Sequence, residues 1–109
     1  MATSVESEEE FQDFIDGNGS KLVIVDFWAE WCGPCRLMSP AFDKFAKDSQ
    51  FKDVIFLKVD VDELGELAEK YDISCMPTFI FFRNGEKIDE FSGANKDKLL
   101  EMLKSHCKK

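Results

Sequence analysis

Leu22-Val-Ile-Val-Asp-Phe-Trp-Ala-Glu-Trp-Cys-Gly-Pro-Cys35 is the stretch on which the reading of this chain turns. Its first seven residues, Leu22 to Trp28, are apolar at almost every position. Such a run suits a central strand covered on both faces, not an edge strand with one wet side. Trp31 to Cys35 then sets two cysteines around Gly33-Pro34, just past the end of that strand. Pro34 fits the first turn of a helix, where its missing N–H costs little. From about Pro34 to Ser49, the residues Leu37, Met38, Ala41, Phe42, Phe45 and Ala46 recur as a helical stripe. Pro40 lies inside it, removes one backbone donor and is expected to kink the helix.

Outward from this unit the pattern alternates between strand and helix. Val5 marks a short first strand. Ser7 and Glu10 have capping-box spacing, Phe11, Phe14 and Ile15 form one apolar helix face, and Gly17 to Gly19 closes it. Val54 to Val59 reads as a strand, and Leu64, Leu67, Ala68 and Tyr71 as a helix. Thr78 to Phe82 and Ile88 to Phe91 are two further strands joined by Asn84-Gly85, a dipeptide favoured in tight hairpins. Asn95 can cap a last helix with Leu99, Leu100, Met102 and Leu103 inward. The order β-α-β-α-β-α-β-β-α implies an α/β fold, a central mixed sheet of about five strands flanked by four helices on both faces. No linker, repeat or low-complexity tract interrupts residues 1–109, so one domain is expected.

Composition narrows the class. Hydrophobic residues make up 44%, with eleven Phe and two Trp, enough to build a core without metal or disulfide staples. The net charge of -8 argues against a nucleic-acid grip, since the one basic cluster is Lys108-Lys109. An acidic surface favours solubility. Met1 to Glu10 is polar and acidic, with neither the basic nor the apolar region of a signal peptide. No run approaches the roughly 18 apolar residues of a membrane helix. Cys107 stands third from the end, so no prenylation box is formed. A reducing, cytoplasmic setting is therefore expected, in which a cysteine pair is more often catalytic or metal-binding than a structural bridge.

The dithiol carries the chemistry. Cys32 falls near the helix cap, where free N–H groups and the helix dipole favour a thiolate, the nucleophile of disulfide exchange. Cys35 lies about one turn on, close enough to form a ring with Cys32, and is expected to point inward. That asymmetry supports attack by Cys32 on an external disulfide, followed by displacement through Cys35. Half a zinc site would look the same, but Cys75 and Cys107 stand alone, with His106 beside Cys107. No metal is expected. Two incidental core cysteines are a further reading, weakened because Gly-Pro at a strand–helix junction fills a core poorly. Asp26 is the one carboxylate in the apolar strand. Covered on both faces it would have a raised pKa, while at a strand end it would simply face water.

Val25 to Cys35 resembles the signature of the thioredoxin family, and Met76-Pro-Thr-Phe79 and Phe91-Ser-Gly-Ala94 match later landmarks of that family. The resemblance runs in one register from about Val5 to Lys104. Gly-Pro between the cysteines is the pairing of thioredoxins, whereas protein disulfide isomerases usually carry Gly-His. What the resemblance implies is a thioredoxin-fold protein-disulfide reductase active in cell redox homeostasis. It makes Cys32 the nucleophile, Cys35 the resolving thiol, Cys32–Cys35 the redox-active disulfide and Asp26 a proton relay behind Cys35. Lys58 stands where bacterial members often have a lysine near the buried carboxylate. Pro77 matches a proline that is cis and opposite the dithiol, so that the Met76 backbone can pair with an extended substrate. Trp31, Gly33, Pro34, Met76, Pro77, Gly93 and Ala94 would form a flat apolar patch suited to varied proteins, since small ligands prefer concave pockets. Trp28 is read as packing behind the active loop.

Two cysteines stand apart. Animal members of the family also carry a cysteine at the place of Cys75, which implies intermolecular oxidation and a Cys75-linked dimer of an otherwise monomeric chain. A quiet, partly buried thiol is the alternative. Cys107 is read as incidental. Leu64 and Tyr71 stand where mammalian members have further cysteines, so a second regulatory dithiol there is not expected. The chain has no Gly-rich dinucleotide fingerprint, so no cofactor is expected to bind and electrons must come from a separate protein. The resemblance implies NADPH through thioredoxin reductase, and clients such as peroxiredoxin, ribonucleotide reductase and methionine sulfoxide reductase. Two other functions stay open on the sequence: a binding module that uses the fold as scaffold, and a dithiol oxidant or isomerase.

Overall fold

The computed structural model describes residues 2–107. In chain order it comprises β1 (Ala2–Ser4), α1 (Glu8–Gly17), β2 (Val23–Trp28), α2 (Gly33–Lys47), β3 (Ile55–Asp60), α3 (Gly65–Lys70), β4 (Thr78–Arg83), β5 (Glu86–Ser92) and α4 (Lys96–Cys107), with a single 3₁₀ turn at Ser49–Phe51. The sheet order is β1-β3-β2-β4-β5. β3 runs parallel to both β1 and β2, while β4 is antiparallel to β2 and β5. This is the expected mixed five-stranded sheet with helices on both faces.

The central place of β2 explains its composition. Val23, Val25 and Phe27 enter one core with Leu57, Val59, Ile80 and Phe82, covered by Phe11 and Ile15 of α1 and Leu67 of α3. Ile24 enters the other, with Phe56, Phe79 and Phe81 beneath Met38 and Phe42 of α2 and Leu99 and Leu103 of α4. Side chains alternate along a strand, so Asp26 shares the Ile24 face, the one under α2.

Local signals set the ends of these elements. The Ser7 hydroxyl accepts the Glu10 N–H at 3.0 Å, and the Glu10 carboxylate reaches back to the Glu6 N–H at 2.9 Å. Asn95 accepts the Lys98 N–H through its side chain. Asn84 and Gly85 both take positive φ, 55° and 79°, which the tight β4–β5 turn requires.

Several details depart from the sequence reading. Leu37 is 66% exposed rather than part of the buried stripe. It shares the outer face with Arg36, Pro40 and Lys44, all exposed, while Met38, Ala41, Phe42 and Ala46 face inward. Val5 lies just beyond β1, where its N–H donates to the Lys58 carbonyl at 2.9 Å and its side chain is buried. Among the described residues no helix is long and apolar enough to cross a membrane.

Candidate active site

Cys32 is the N-cap of α2, with extended backbone (φ -88°, ψ 111°). Its sulfur accepts the backbone N–H of Cys35 at 3.2 Å. A capping oxygen ordinarily satisfies such an amide; here a sulfur does, at the positive end of a helix dipole. The first turn of α2 carries no acidic side chain to offset that field. Cys32 and Cys35 are joined in a disulfide with Cα atoms 5.3 Å apart. Both residues are buried in this oxidised form, Cys35 at 3% and Cys32 at 6% exposure, so the inward asymmetry expected of Cys35 is slight. Gly33, Pro34 and Trp31 are exposed around them.

A second loop closes over the pair. The Cys32 sulfur lies 3.5 Å from the Met76 carbonyl oxygen, and the Met76-Pro77 peptide is cis. The Pro77 carbonyl accepts the Gly93 N–H at 2.9 Å, which ties this loop to the end of β5. Gly93 has φ +105°, a backbone conformation that favours glycine. Ala94 follows, exposed at the rim. Trp31 is 64% exposed, and its indole N–H donates to the Asp62 carboxylate at 2.8 Å.

On β2, Asp26 is 1% exposed and its Oδ1 has no hydrogen-bond partner among the described residues. Burial pushes its carboxyl up to about 7; the nearby Lys58 ammonium pulls it down and the Asp43 carboxylate pushes it up. Asp26 therefore does not face water. Lys58 is its register partner across β2 and β3. The Lys58 ammonium donates to the Ser39 hydroxyl at 3.0 Å, lies 3.9 Å from the Asp43 carboxylate, and stands 5.5 Å over the Trp28 ring.

These distances bring Cys32, Cys35, Trp31, Met76, Pro77 and Gly93 to one end of the sheet, with Asp26 and Lys58 in the layer between β2, β3 and α2. The chain can be compared with known proteins at this point. The family model described as Thioredoxin matches residues 2–105. The chain is 48% identical over 99 residues to a human thioredoxin, covering 91% of this chain and 92% of that protein. It is 45% identical over 106 residues to a thioredoxin of the catfish Ictalurus punctatus, covering 97% and 99%. Its fold is similar to that of the crystal structure of thioredoxin from Malassezia sympodialis, with a TM-score of 0.91 and 41% identity over 96% of this chain and 92% of the other. The X-ray structure of Fasciola hepatica thioredoxin gives 0.90 and 41%, over 95% and 98%.

The chain belongs to the thioredoxin family. With its paired Cys32 and Cys35 it is a thiol–disulfide oxidoreductase. Thioredoxin-family membership implies a reductase that recharges the dithiol and disulfide-bearing clients that discharge it.

Sequence reasoning missed three residues that touch this thioredoxin site. Ser39 and Asp43 hold Lys58, and Asp62 holds Trp31. The signal for Asp62 was available, since it lies just past the C-terminal end of a parallel strand, where sites in α/β sheets gather. The remaining cysteines sit elsewhere. Cys75 is exposed rather than partly buried, and its carbonyl accepts a short bond from the Thr78 hydroxyl. Cys107 is exposed at the opposite end of the sheet, its thiol pushed up by partial burial against the pull of Arg83. Among the described residues no group of His, Cys, Asp and Glu is arranged to hold a metal.

Proposed function

We propose that this chain reduces disulfide bonds in cytoplasmic client proteins, with Cys32 as nucleophile and Cys35 as resolving thiol. The reading rests on one observation above all, the Cys35 N–H aimed at the Cys32 sulfur at the start of α2. In the reduced chain that amide and the helix dipole stabilise a Cys32 thiolate. The thiolate attacks one sulfur of a client disulfide, forms a Cys32–client bond and expels the other client sulfur as a thiolate. Asp26 takes the Cys35 proton; the Cys35 thiolate attacks the Cys32 sulfur and frees the second client thiolate. Two electrons pass to the client, and the Cys32–Cys35 disulfide described above is the product state.

A carboxyl whose pKa is about 7 can both take and return a proton near neutrality, which suits Asp26 to the relay. Lys58 tunes it. Clients dock as an extended segment against the Met76 backbone and cis Pro77, over a surface of Trp31, Gly33, Pro34, Gly93 and Ala94. NADPH, through thioredoxin reductase, restores the dithiol; peroxiredoxin, ribonucleotide reductase and methionine sulfoxide reductase are the client classes. Exposure of Cys75 supports a disulfide-linked dimer under oxidising conditions. The test is insulin-disulfide reduction by dithiothreitol with the wild-type chain and Cys32→Ser. Loss of the acceleration in Cys32→Ser supports the proposal; equal rates overturn it.

A further inference from the structure

Lys58 and Asp26 stand in register on adjacent parallel strands and project to the same face of the sheet, yet no hydrogen bond joins them. The ammonium goes to α2 instead. It donates to Ser39 at 3.0 Å and approaches Asp43 at 3.9 Å. Ser39 and Asp43 are four residues apart, one helical turn, and so line up on one face of α2. Among the described residues, the other strand and helix that share this face bring apolar side chains to Asp26's side of the sheet. β4 presents Phe79, its register partner there, and α4 adds Leu99 and Leu103 to the core on that face. Lys58 is thus the cation, and Asp43 the second anion, that act on Asp26.

We infer that Ser39 and Asp43 are positioning residues that hold the Lys58 ammonium against α2 and off the buried Asp26 carboxylate. The inference rests on the proton-relay role proposed for Asp26. A direct ammonium–carboxylate hydrogen bond would favour the charged form of Asp26 and draw it toward the ordinary carboxylate range. Asp26 would then stay ionised through neutrality and return no proton. A charge-assisted bond to Ser39 gives Lys58 a competing partner. Asp43 is half-exposed, so its hold is screened and Ser39 carries more of the restraint. The Lys58 side chain is only 17% exposed. When the Ser39 acceptor is removed, Asp26 Oδ1, on the register partner of Lys58, is a buried acceptor still without a partner among the described residues.

Carboxyl carbon NMR of the full chain in its disulfide form reads the Asp26 midpoint directly. Ser39→Ala removes no charge, so a shift that it causes only when Lys58 is present reports the tether. We expect its midpoint to fall by about half a pH unit or more, while Ser39→Thr, which keeps the hydroxyl, stays at the wild-type value. In a Lys58→Met background Ser39→Ala should leave the midpoint unmoved. Asp43→Asn provides a second cycle, with a larger downward shift when Lys58 is present than when it is Met. No shift in Ser39→Ala, an upward shift, or an equal shift in both backgrounds overturns the inference. The relay itself is read separately, as the rate at which Cys35 resolves a mixed disulfide in Asp26→Asn. An unaltered rate would remove the relay and leave the Lys58 tether standing.

Discussion

The backbone N–H of Cys35 points at the Cys32 sulfur from 3.2 Å, so the capping bond of α2 runs between the two members of the dithiol. The function proposed above has this bond stabilise a Cys32 thiolate in the reduced chain, with Cys35 within reach of it. Alkylation of the reduced chain should therefore proceed first at Cys32, with a pH midpoint below the roughly 8.5 of a free thiol. Cys75 and Cys107, though exposed, lack such a cap and should react more slowly near neutrality. Mass spectrometry after brief iodoacetamide treatment across pH separates the four sites. In Cys35→Ser the second displacement is lost, and a Cys32–client adduct should accumulate on non-reducing gels.

Asp26 gives a pH dependence opposite to that of a salt-bridged surface carboxylate. Its folded value, about 7, is raised above the ordinary 3.8. Below both values the group is protonated in either state and contributes no slope. Between them the unfolded chain has lost the proton that the folded chain keeps, so stability falls as pH rises, and above about pH 7 it levels. At about 1.4 kcal/mol per tenfold in proton affinity, the full fall is on the order of 4 kcal/mol. Asp26→Asn should remove this slope and be the more stable chain above neutrality. Urea denaturation across that range compares the two; parallel curves would mean that Asp26 titrates normally.

Much of this architecture could be read from the chain because its signals are local. The apolar run Leu22 to Trp28 has one carboxylate in it, and alternation alone puts Asp26 inside once both faces are covered. Pro34 in the first turn places Cys32 at the cap. What stayed hidden depends on how elements cross. The choice of Lys58 between Asp26 and Ser39 is a matter of how α2 lies over β3. The bond from Trp31 to Asp62 requires the parallel register that sets Trp28 beside Asp60; a place just past a strand end marks Asp62 as near the site but does not name its partner. Leu37 was misplaced because helical periodicity locates a stripe but does not fix its width. Cys75 lies between Tyr71 and Thr78, outside regular structure, where no period reports burial.

Trp31 separates docking from folding. Its ring is mostly exposed, and one hydrogen bond to Asp62 holds it. Trp31→Ala should cost only about 1 kcal/mol of stability, the typical net worth of such a bond. It should raise the KM for insulin several-fold while leaving Cys32 alkylation near wild type. Asp62→Ala should produce a weaker version of the same change, because the ring is then free to turn away. Thermal unfolding and steady-state reduction kinetics together check this. An unchanged KM in Trp31→Ala would take the residue out of the docking surface.

Gly93 joins the two loops of the site through its N–H to the Pro77 carbonyl, and it does so at φ +105°. A Cβ built there meets nothing within 4 Å, so substitution by alanine creates no clash. The whole penalty is conformational, on the order of 1–3 kcal/mol for a backbone region that L-residues avoid. The chain can relieve it by rotating toward negative φ, which turns the N–H away from Pro77. Gly93→Ala should therefore lower the unfolding midpoint and also loosen the Met76-Pro77 loop facing Cys32. Faster amide exchange at Gly93 and a raised KM for clients, with the Cys32 alkylation profile preserved, are the expected signs. Destabilisation with amide protection and KM both at wild-type values would mean that the strain is absorbed elsewhere and that the Gly93–Pro77 bond does not hold the docking loop in place.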